Sequence, residues 1–113
     1  MKCFLLVEDH PLLADALRTQ LQSLFSPFEC VVAATLAEGL QLYSQRQNVD
    51  LVILDLNLPD SQGLATLYAV RDRMSQQKCI IPIIVFTGQG TEEVRQECRI
   101  LQVPILVKGE FHM

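Results

Sequence analysis

Polar side chains that could do chemistry together follow four apolar runs of this 113-residue chain. They are Glu8 and Asp9, Asp55, Thr87 and Lys108. Carboxylates can hold a divalent cation or act as nucleophiles, and an ammonium or hydroxyl group can stabilise the charge of a phosphoryl group in transfer. Whether these five side chains meet depends on the elements that carry them.

Short runs of branched apolar residues bounded by turn residues are typical of strands buried on both faces. The chain has five such runs, at 4–7, 30–34, 51–54, 80–86 and 103–107. Apolar residues at helical spacing predict four helices between them, at 11–24, from an N-cap at Thr35 to about 44, at 64–74, and from an N-cap at Thr91 to about 100. Strands that alternate with helices indicate right-handed βαβ units and an α/β fold with a parallel sheet.

The carboxyl ends of parallel strands lie along one edge of the sheet, where open α/β sheets bind their ligands. If strands one, three, four and five are neighbours, three carboxylates, one hydroxyl and one ammonium share a pocket there. Two carboxylates about 4 Å apart repel by roughly 4 kcal/mol at an effective dielectric constant near 20. Lys108 offsets only part of that repulsion, so a hard divalent ion fits the pocket, and Mg²⁺ fits best. Asp55, the central acid, is then a candidate nucleophile for a phosphoryl group.

Four segments taken in order resemble the receiver domain of bacterial response regulators, the CheY-like proteins of two-component signalling. They are 7–12 (VEDHPL), 55–60 (DLNLPD) with Gly63-Leu64, Thr87-Gly88, and Lys108. The similarity covers nearly the whole chain, so residues 1–113 are expected to form one receiver domain. It implies a flavodoxin-like, doubly wound sheet of five parallel strands in the order 2-1-3-4-5.

The resemblance also assigns roles to the residues at the strand ends. It implies that Asp55 accepts a phosphoryl group from a phosphohistidine on a sensor histidine kinase or a phosphotransfer protein, and that the domain catalyses its own Mg²⁺-dependent phosphorylation and dephosphorylation. The implied Mg²⁺ ligands are Asp9 and Asp55 through carboxylates, Glu8 through water, and Asn57 through its backbone carbonyl. Thr87 and Lys108 would move toward the new phosphoryl group and switch the domain, thereby controlling an output domain or partner.

The chain departs from the family's pattern near its carboxyl end. Leu101-Gln102-Val103-Pro104 replaces the usual Gly-Ala turn, Ile105 stands at the usual aromatic switch position, and Gly109 replaces a proline. No fifth helix is expected in the few residues after Lys108. Apolar side chains of strands one, four and five should then be partly exposed. Three explanations stay open: a truncated chain, a homodimer whose second copy covers the face, or a natural short variant covered by another partner.

Composition excludes several functional classes. Half of the residues are apolar, the formal net charge is −4, and no basic run exists, so we expect no nucleic-acid contact from this domain. The four cysteines have no CxxC spacing and are expected to be buried or half-buried free thiols. With no signal peptide and no run long enough to span a membrane, the sequence predicts a cytoplasmic protein without membrane contact.

Two other functions remain as alternatives. One is a receiver-like interaction module that is not phosphorylated. The intact acids, Thr87 and Lys108 count against it, because such a module would be free to lose them. The other is a phosphatase with an Asp-x-Asp motif, which the Asn57 in place of the second Asp disfavours. His10 is expected to be a loop residue and Asp60 a solvated turn residue. Tyr43 and Tyr68 are expected to serve helix packing.

Overall fold

The structure is a computed structural model that describes residues 2–24 and 27–110. Its strands are β1 (Lys2–Val7), β2 (Phe28–Ala33), β3 (Leu51–Leu54), β4 (Asn57–Leu58), β5 (Ser61–Gln62), β6 (Ile83–Thr87) and β7 (Ile105–Val107). Its α-helices are α1 (Pro11–Leu24), α2 (Leu36–Gln45), α3 (Leu64–Gln76) and α4 (Glu92–Ile100). The five strands and four helices predicted from periodicity are all present.

The main sheet has five parallel strands in the order β2-β1-β3-β6-β7. Because β4 and β5 form a separate hairpin, this is the predicted order 2-1-3-4-5. The register sets Val7 of β1 opposite Leu54 of β3, and Thr87 of β6 opposite Val107 of β7. The strands that precede the candidate residues therefore end along one edge of the sheet.

Alternate side chains of the central strands enter two separate cores, as the two-residue period of a strand requires. The larger core joins the sheet to α2, α3 and α4, and includes Leu5, Val52, Val85, Leu67 and Cys98. The smaller core joins the other face to α1 and contains Leu6, Ala14, Leu17, Ile53 and Phe86. Both faces of β1 and β3 are thus covered, which explains why these strands are continuous apolar runs.

The helix caps follow the predictions. Thr35 Oγ1 accepts the Glu38 N–H at 3.1 Å, and Thr91 Oγ1 accepts the Val94 N–H at 3.2 Å. Each hydroxyl therefore satisfies one of the backbone N–H groups that a helix leaves unpaired at its amino end.

Prolines shift two predicted strand boundaries. The fourth strand of the main sheet begins at Ile83 rather than at position 80, and the fifth at Ile105 rather than at 103. Pro82 and Pro104 have no N–H to donate, but their carbonyls accept from the neighbouring strands, at 3.0 Å from the Val52 N–H and 2.9 Å from the Val85 N–H. Each strand therefore begins one residue after its proline, although the proline carbonyl still accepts a hydrogen bond from the neighbouring strand.

A groove of about 440 Å³ opens between α1 and the sheet. The expected exposure is confirmed for Leu106 of β7, which is 39% exposed, and Ile84 of β6 is half-buried. It is wrong for Phe4 of β1, which is 6% exposed because the Phe28 ring lies 5.2 Å away, centroid to centroid. In the part of the chain described, only a 3-10 turn (Lys108–Glu110) follows β7, and the rest of the region predicted to lack a helix lies outside the described residues.

Three further predictions concern side-chain exposure and hydropathy. All four cysteines are free, as expected, but Cys79 is exposed rather than buried because it lies in the loop after α3. Tyr43 is buried on α2 as predicted, whereas Tyr68 is 40% exposed and donates to Glu97 on α4. None of the helices within residues 2–24 and 27–110 has the length and hydropathy needed to cross a bilayer.

Candidate functional site

The sheet brings Asp55 directly beside the residues that follow β1. The Asp55 N–H donates to the Val7 carbonyl at 3.0 Å, and the Glu8 N–H donates to the Ala33 carbonyl at 2.9 Å. Each acid therefore extends its strand's hydrogen-bond ladder by one residue. The β1 and β3 acids meet because the ladders of two adjacent parallel strands end at the same level.

The three predicted carboxylates form one cluster. One oxygen from each of Glu8, Asp9 and Asp55 lies within 4.8 Å of the other two. Glu8 is 2% exposed and Asp55 is 3% exposed, whereas Asp9 is open to solvent. The cluster therefore has two acids in the protein interior and one at its mouth, from which a ligand can approach.

Lys108 supplies a counter-charge from the end of β7. Its Nζ lies 3.0 Å from Asp55 Oδ2 and 2.9 Å from Glu8 Oε2. The ammonium also lies over the Phe86 ring, 5.6 Å from its centroid. Burial by itself lowers the pKa of Lys108, but the contacts with Glu8 and Asp55 outweigh burial and raise that pKa above its ordinary value.

Glu8 shows that one ammonium does not satisfy this pocket. Burial raises the pKa of Glu8, and the neighbouring Asp55 carboxylate raises it further, against the opposing effect of Lys108. The Glu8 Oε2 atom is buried and has an ion pair with Lys108, but no aligned hydrogen bond. A buried, acceptor-only set of carboxylate oxygens with one such atom fits a hard divalent cation such as Mg²⁺.

Asn57 and Thr87 are the two remaining residues that the sequence predicts to take part in the site. The Asn57 N–H donates to Asp55 Oδ1 at 3.0 Å, so the Asn57 peptide is next to Asp55 while its side chain is exposed. Thr87 is fully buried at the end of β6, the strand between those that precede Asp55 and Lys108. Its Oγ1 accepts the Gln89 N–H at 3.2 Å, which leaves the hydroxyl proton available for an incoming acceptor.

Two residues have contacts that the sequence did not indicate. His10 lies in a loop, as predicted, and its Nδ1 accepts the Leu13 N–H at 3.4 Å at the start of α1. Asp60 was expected to be a solvated turn residue; it is exposed, but its carboxylate accepts the N–H groups of Leu36 and Ala37 at 2.9 and 3.0 Å. These contacts hold the pKa of Asp60 below its ordinary value. An Asp after a Pro gives no sequence signal for a bond across 24 residues.

Comparison with known proteins matches this arrangement to one family. A sequence model described as the response regulator receiver domain matches residues 4–108. The TorCAD operon transcriptional regulatory protein TorR of Escherichia coli K12 is 37% identical over 86 residues, which are 75% of this chain and 34% of TorR. The chain spans less than two fifths of the length of the first curated regulators that it matches.

Two solved structures show the same likeness in three dimensions. The non-phosphorylated receiver domain of HemR from Leptospira biflexa has a TM-score of 0.78 at 28% identity, and the match covers 99% of this chain and 85% of that one. TrrA from Thermotoga maritima, solved in complex with Mg²⁺ and BeF, has a TM-score of 0.74 at 28% identity, covering 96% and 87%.

The fold, the acidic cluster and the family match agree with one another. Receivers of this family bind Mg²⁺ at an acidic pocket and interact with histidine kinases or phosphotransfer proteins. The chain belongs to the response regulator receiver family, whose general function is to accept a phosphoryl group in two-component signalling.

Proposed function

We propose that Asp55 is the phosphoacceptor of this receiver. The observation that carries the proposal is the position of its carboxylate, which is 3% exposed, lies 3.0 Å from Lys108 Nζ and is within 4.8 Å of two further acids. A structural acid would need only its ion pair, whereas this one adjoins a partly exposed cluster with excess negative charge.

In the proposed reaction, one Asp55 oxygen attacks the phosphorus of a phosphohistidine on a histidine kinase or phosphotransfer protein. A P–O bond forms as the donor's P–N bond breaks, and the nitrogen leaves with the electron pair of that bond. Lys108 offsets charge on the phosphoryl oxygens, and the Asn57 N–H orients the carboxylate through Oδ1. Water later attacks the phosphorus, the P–O bond to Asp55 breaks with its electron pair staying on the carboxylate, and inorganic phosphate is released.

The residues proposed to hold Mg²⁺ are Glu8, Asp9, Asp55 and the backbone carbonyl of Asn57. The fit is supported by the all-oxygen donor set and by the buried Glu8 Oε2 that lacks a hydrogen bond. Mg²⁺ when bound neutralises charge on the phosphoryl oxygens during transfer. Asp9, being exposed, is the acid that a metal can reach first from solvent.

Phosphorylation is proposed to switch the domain through Thr87 and Lys108. The new group adds about −1.5 to −2 charges at pH 7, and it attracts the Lys108 ammonium and the Thr87 hydroxyl proton. Moving a two-state equilibrium from 1:99 to 99:1 requires about 5.5 kcal/mol of differential interaction. Ile105, half-buried against the larger core, occupies the position where the family usually has an aromatic switch residue. We therefore expect the signal to leave mainly through the loops that precede α3 and α4.

The test is incubation with Mg²⁺ and acetyl phosphate, followed by measurement of the intact mass. We expect a gain of one phosphoryl group that is lost in Asp55→Asn and kept in Asp15→Asn, an exposed acid on α1. No gain in a folded, Mg²⁺-binding wild type would refute phosphoacceptance and favour the alternative, a receiver-like interaction module. A gain that persists in Asp55→Asn would refute the assignment of the residue.

We further infer that the domain forms a homodimer. A second copy packs on the groove beside α1, where Leu24 is 72% and Leu106 39% exposed. Lys2 and Asp50 also line this groove, so a two-fold arrangement can set opposite charges against each other. Light scattering should then show concentration-dependent dimers that Leu106→Gln weakens, and a monomer at high concentration would refute this. We assign the domain to the cytoplasm, without nucleic-acid contact of its own.

A further inference from the structure

Asp60 links the β4–β5 hairpin, which follows the proposed phosphoacceptor, to the amino end of α2. It lies in the turn between β4 and β5, and both of its carboxylate oxygens are engaged. Oδ1 accepts the Leu36 N–H at 2.9 Å and Oδ2 accepts the Ala37 N–H at 3.0 Å. Two charge-assisted bonds to adjacent amides fix the carboxylate in direction as well as in position.

These two amides are the ones that α2 cannot satisfy by itself. The Glu38 N–H is taken by Thr35 Oγ1 at 3.1 Å, and the Gly39 N–H by the Thr35 carbonyl at 3.0 Å. The first two N–H groups of the helix then depend on Asp60, which is 24 residues from Leu36 and 23 from Ala37 in the sequence. The amino end of α2 is complete only when the hairpin is in place.

The amino end of α2 is itself held firmly on the sheet. A Cβ added at Gly39 would lie only 2.9 Å from Val7 Cγ2, so the first turns of the helix rest directly on the last residue of β1. Val7 is buried and immediately precedes Glu8. The helix end that Asp60 contacts is therefore a rigid reference point next to the acidic cluster.

The other end of the hairpin is attached to the site. The Asn57 N–H donates to Asp55 Oδ1 at 3.0 Å, and the Gly63 N–H donates to the Leu56 carbonyl at 2.7 Å. Between these points, β4 and β5 pair only through Asn57 with Gln62 and Leu58 with Ser61. So short a hairpin has little stability of its own, and its tip needs an external contact to hold its base in one position.

We infer that Asp60 is a positioning residue for the metal site: by tying the hairpin tip to α2, it holds the Asn57 carbonyl where the proposed function needs a Mg²⁺ ligand. Asp60 acts through the hairpin and touches neither the phosphoryl group nor the metal. Without the two hydrogen bonds to α2, the β4–β5 turn can move, and the affinity for Mg²⁺ falls although the protein still folds.

The test is calorimetric titration of the folded protein with Mg²⁺ alone, without a phosphodonor. Outer-shell partners typically contribute tenfold to hundredfold to metal affinity, and for this more distant contact we expect a rise in Kd of about threefold to tenfold in Asp60→Ala. Asp60→Asn keeps one acceptor oxygen and should show a smaller rise. Thr35→Ala removes a cap from the same helix without touching the hairpin, and it should leave the Kd within about twofold of wild type. Amide hydrogen exchange at Leu36 and Ala37 should quicken in Asp60→Ala.

The outcomes separate this inference from the proposed function. A wild type that binds no Mg²⁺ contradicts the proposed function itself. A wild type that binds Mg²⁺, together with an Asp60→Ala variant of equal affinity, contradicts only the role of Asp60. An equal rise in Kd for Thr35→Ala also contradicts it, because general loosening of α2 would then account for the effect. If Asp60→Ala does not fold, Asp60→Asn carries the same comparison.

Discussion

Replacing Lys108 by Met should expose the charge imbalance of the acidic pocket. Met keeps most of the length of the side chain but removes the ammonium, which lies 3.0 Å from Asp55, 2.9 Å from Glu8 and 5.6 Å from the centroid of the Phe86 ring. Two nearly fully buried carboxylates then face each other without a cation. We expect Lys108→Met to lower the free energy of unfolding of the metal-free protein at neutral pH.

The magnitude follows from burial and distance. Removing one partner of a fully buried ion pair typically costs about 3–5 kcal/mol. The Lys108 side chain is 25% exposed, so solvent screens part of this, and we expect a loss of about 2–3 kcal/mol. The repulsion that Lys108 offsets is of the same order, since two charges 4.8 Å apart interact by about 3.5 kcal/mol at an effective dielectric constant of 20.

Urea unfolding in EDTA and in saturating Mg²⁺ measures this loss in the free energy of unfolding. The loss in Lys108→Met, relative to wild type, should be largest in EDTA and should shrink in Mg²⁺, because a bound dication replaces the missing counter-charge and stabilises only the native state. Lys78→Met, at an exposed lysine in the loop after α3, serves as the control and should change stability little. A Lys108→Met protein as stable as wild type in EDTA would refute the conclusion that Lys108 offsets repulsion between the buried carboxylates.

Three further predictions concern other parts of the molecule. Gly90→Ala should lower the free energy of unfolding in urea by about 1–3 kcal/mol, because its Cβ would lie 2.4 Å from Val107 Cγ2, and Val107→Ala should relieve this clash. Gly88→Ala should be nearly neutral, because its Cβ would meet only Lys108 Cδ, at an ordinary contact distance of 3.9 Å. Gln102→Gly should stabilise by about 0.5–1 kcal/mol, since its φ of 58° strains any residue with a Cβ; a lower melting temperature would contradict this. The pKa of Asp60 is lowered in the folded state, so the stability that it contributes should be fully present well above the ordinary pKa of an Asp and lost as the pH falls through the lowered pKa; equal acid sensitivity of Asp60→Ala and wild type would contradict this.

The main elements could be predicted because each signal is local. Pro11 sets the start of α1, and the apolar run 51–54 is bounded by the charged residues Asp50 and Asp55, so α1 and β3 have the predicted bounds. The β4–β5 hairpin was missed because strands of two residues contain no measurable period. The late start of β6 is a matter of hydrogen bonding, which hydropathy does not report.

The site was predictable as far as the ends of parallel strands determine it. Glu8, Asp9, Asp55 and Lys108 meet because the strand order places their ladders side by side. The contacts of Asp60 depend on how the hairpin lies against α2, which no spacing in the sequence encodes. The sequence pattern therefore predicts which groups converge, whereas the contacts that hold them in place are visible only in the three-dimensional structure.

The position of Lys108 directly after β7 has a consequence for synthesis of the protein. The acids at positions 8, 9 and 55 leave the ribosome before their counter-charge, and Asp55 precedes Lys108 by 53 residues. At about 5–20 residues per second, this interval lasts roughly 3–10 seconds. During that time the acids lack their ammonium, and β6, once it has been synthesised, has no partner on the side that β7 later occupies. The nascent chain can complete the charge balance of the acidic cluster only when β7 adds to the main sheet, so the pocket closes after the other four strands of that sheet have been synthesised.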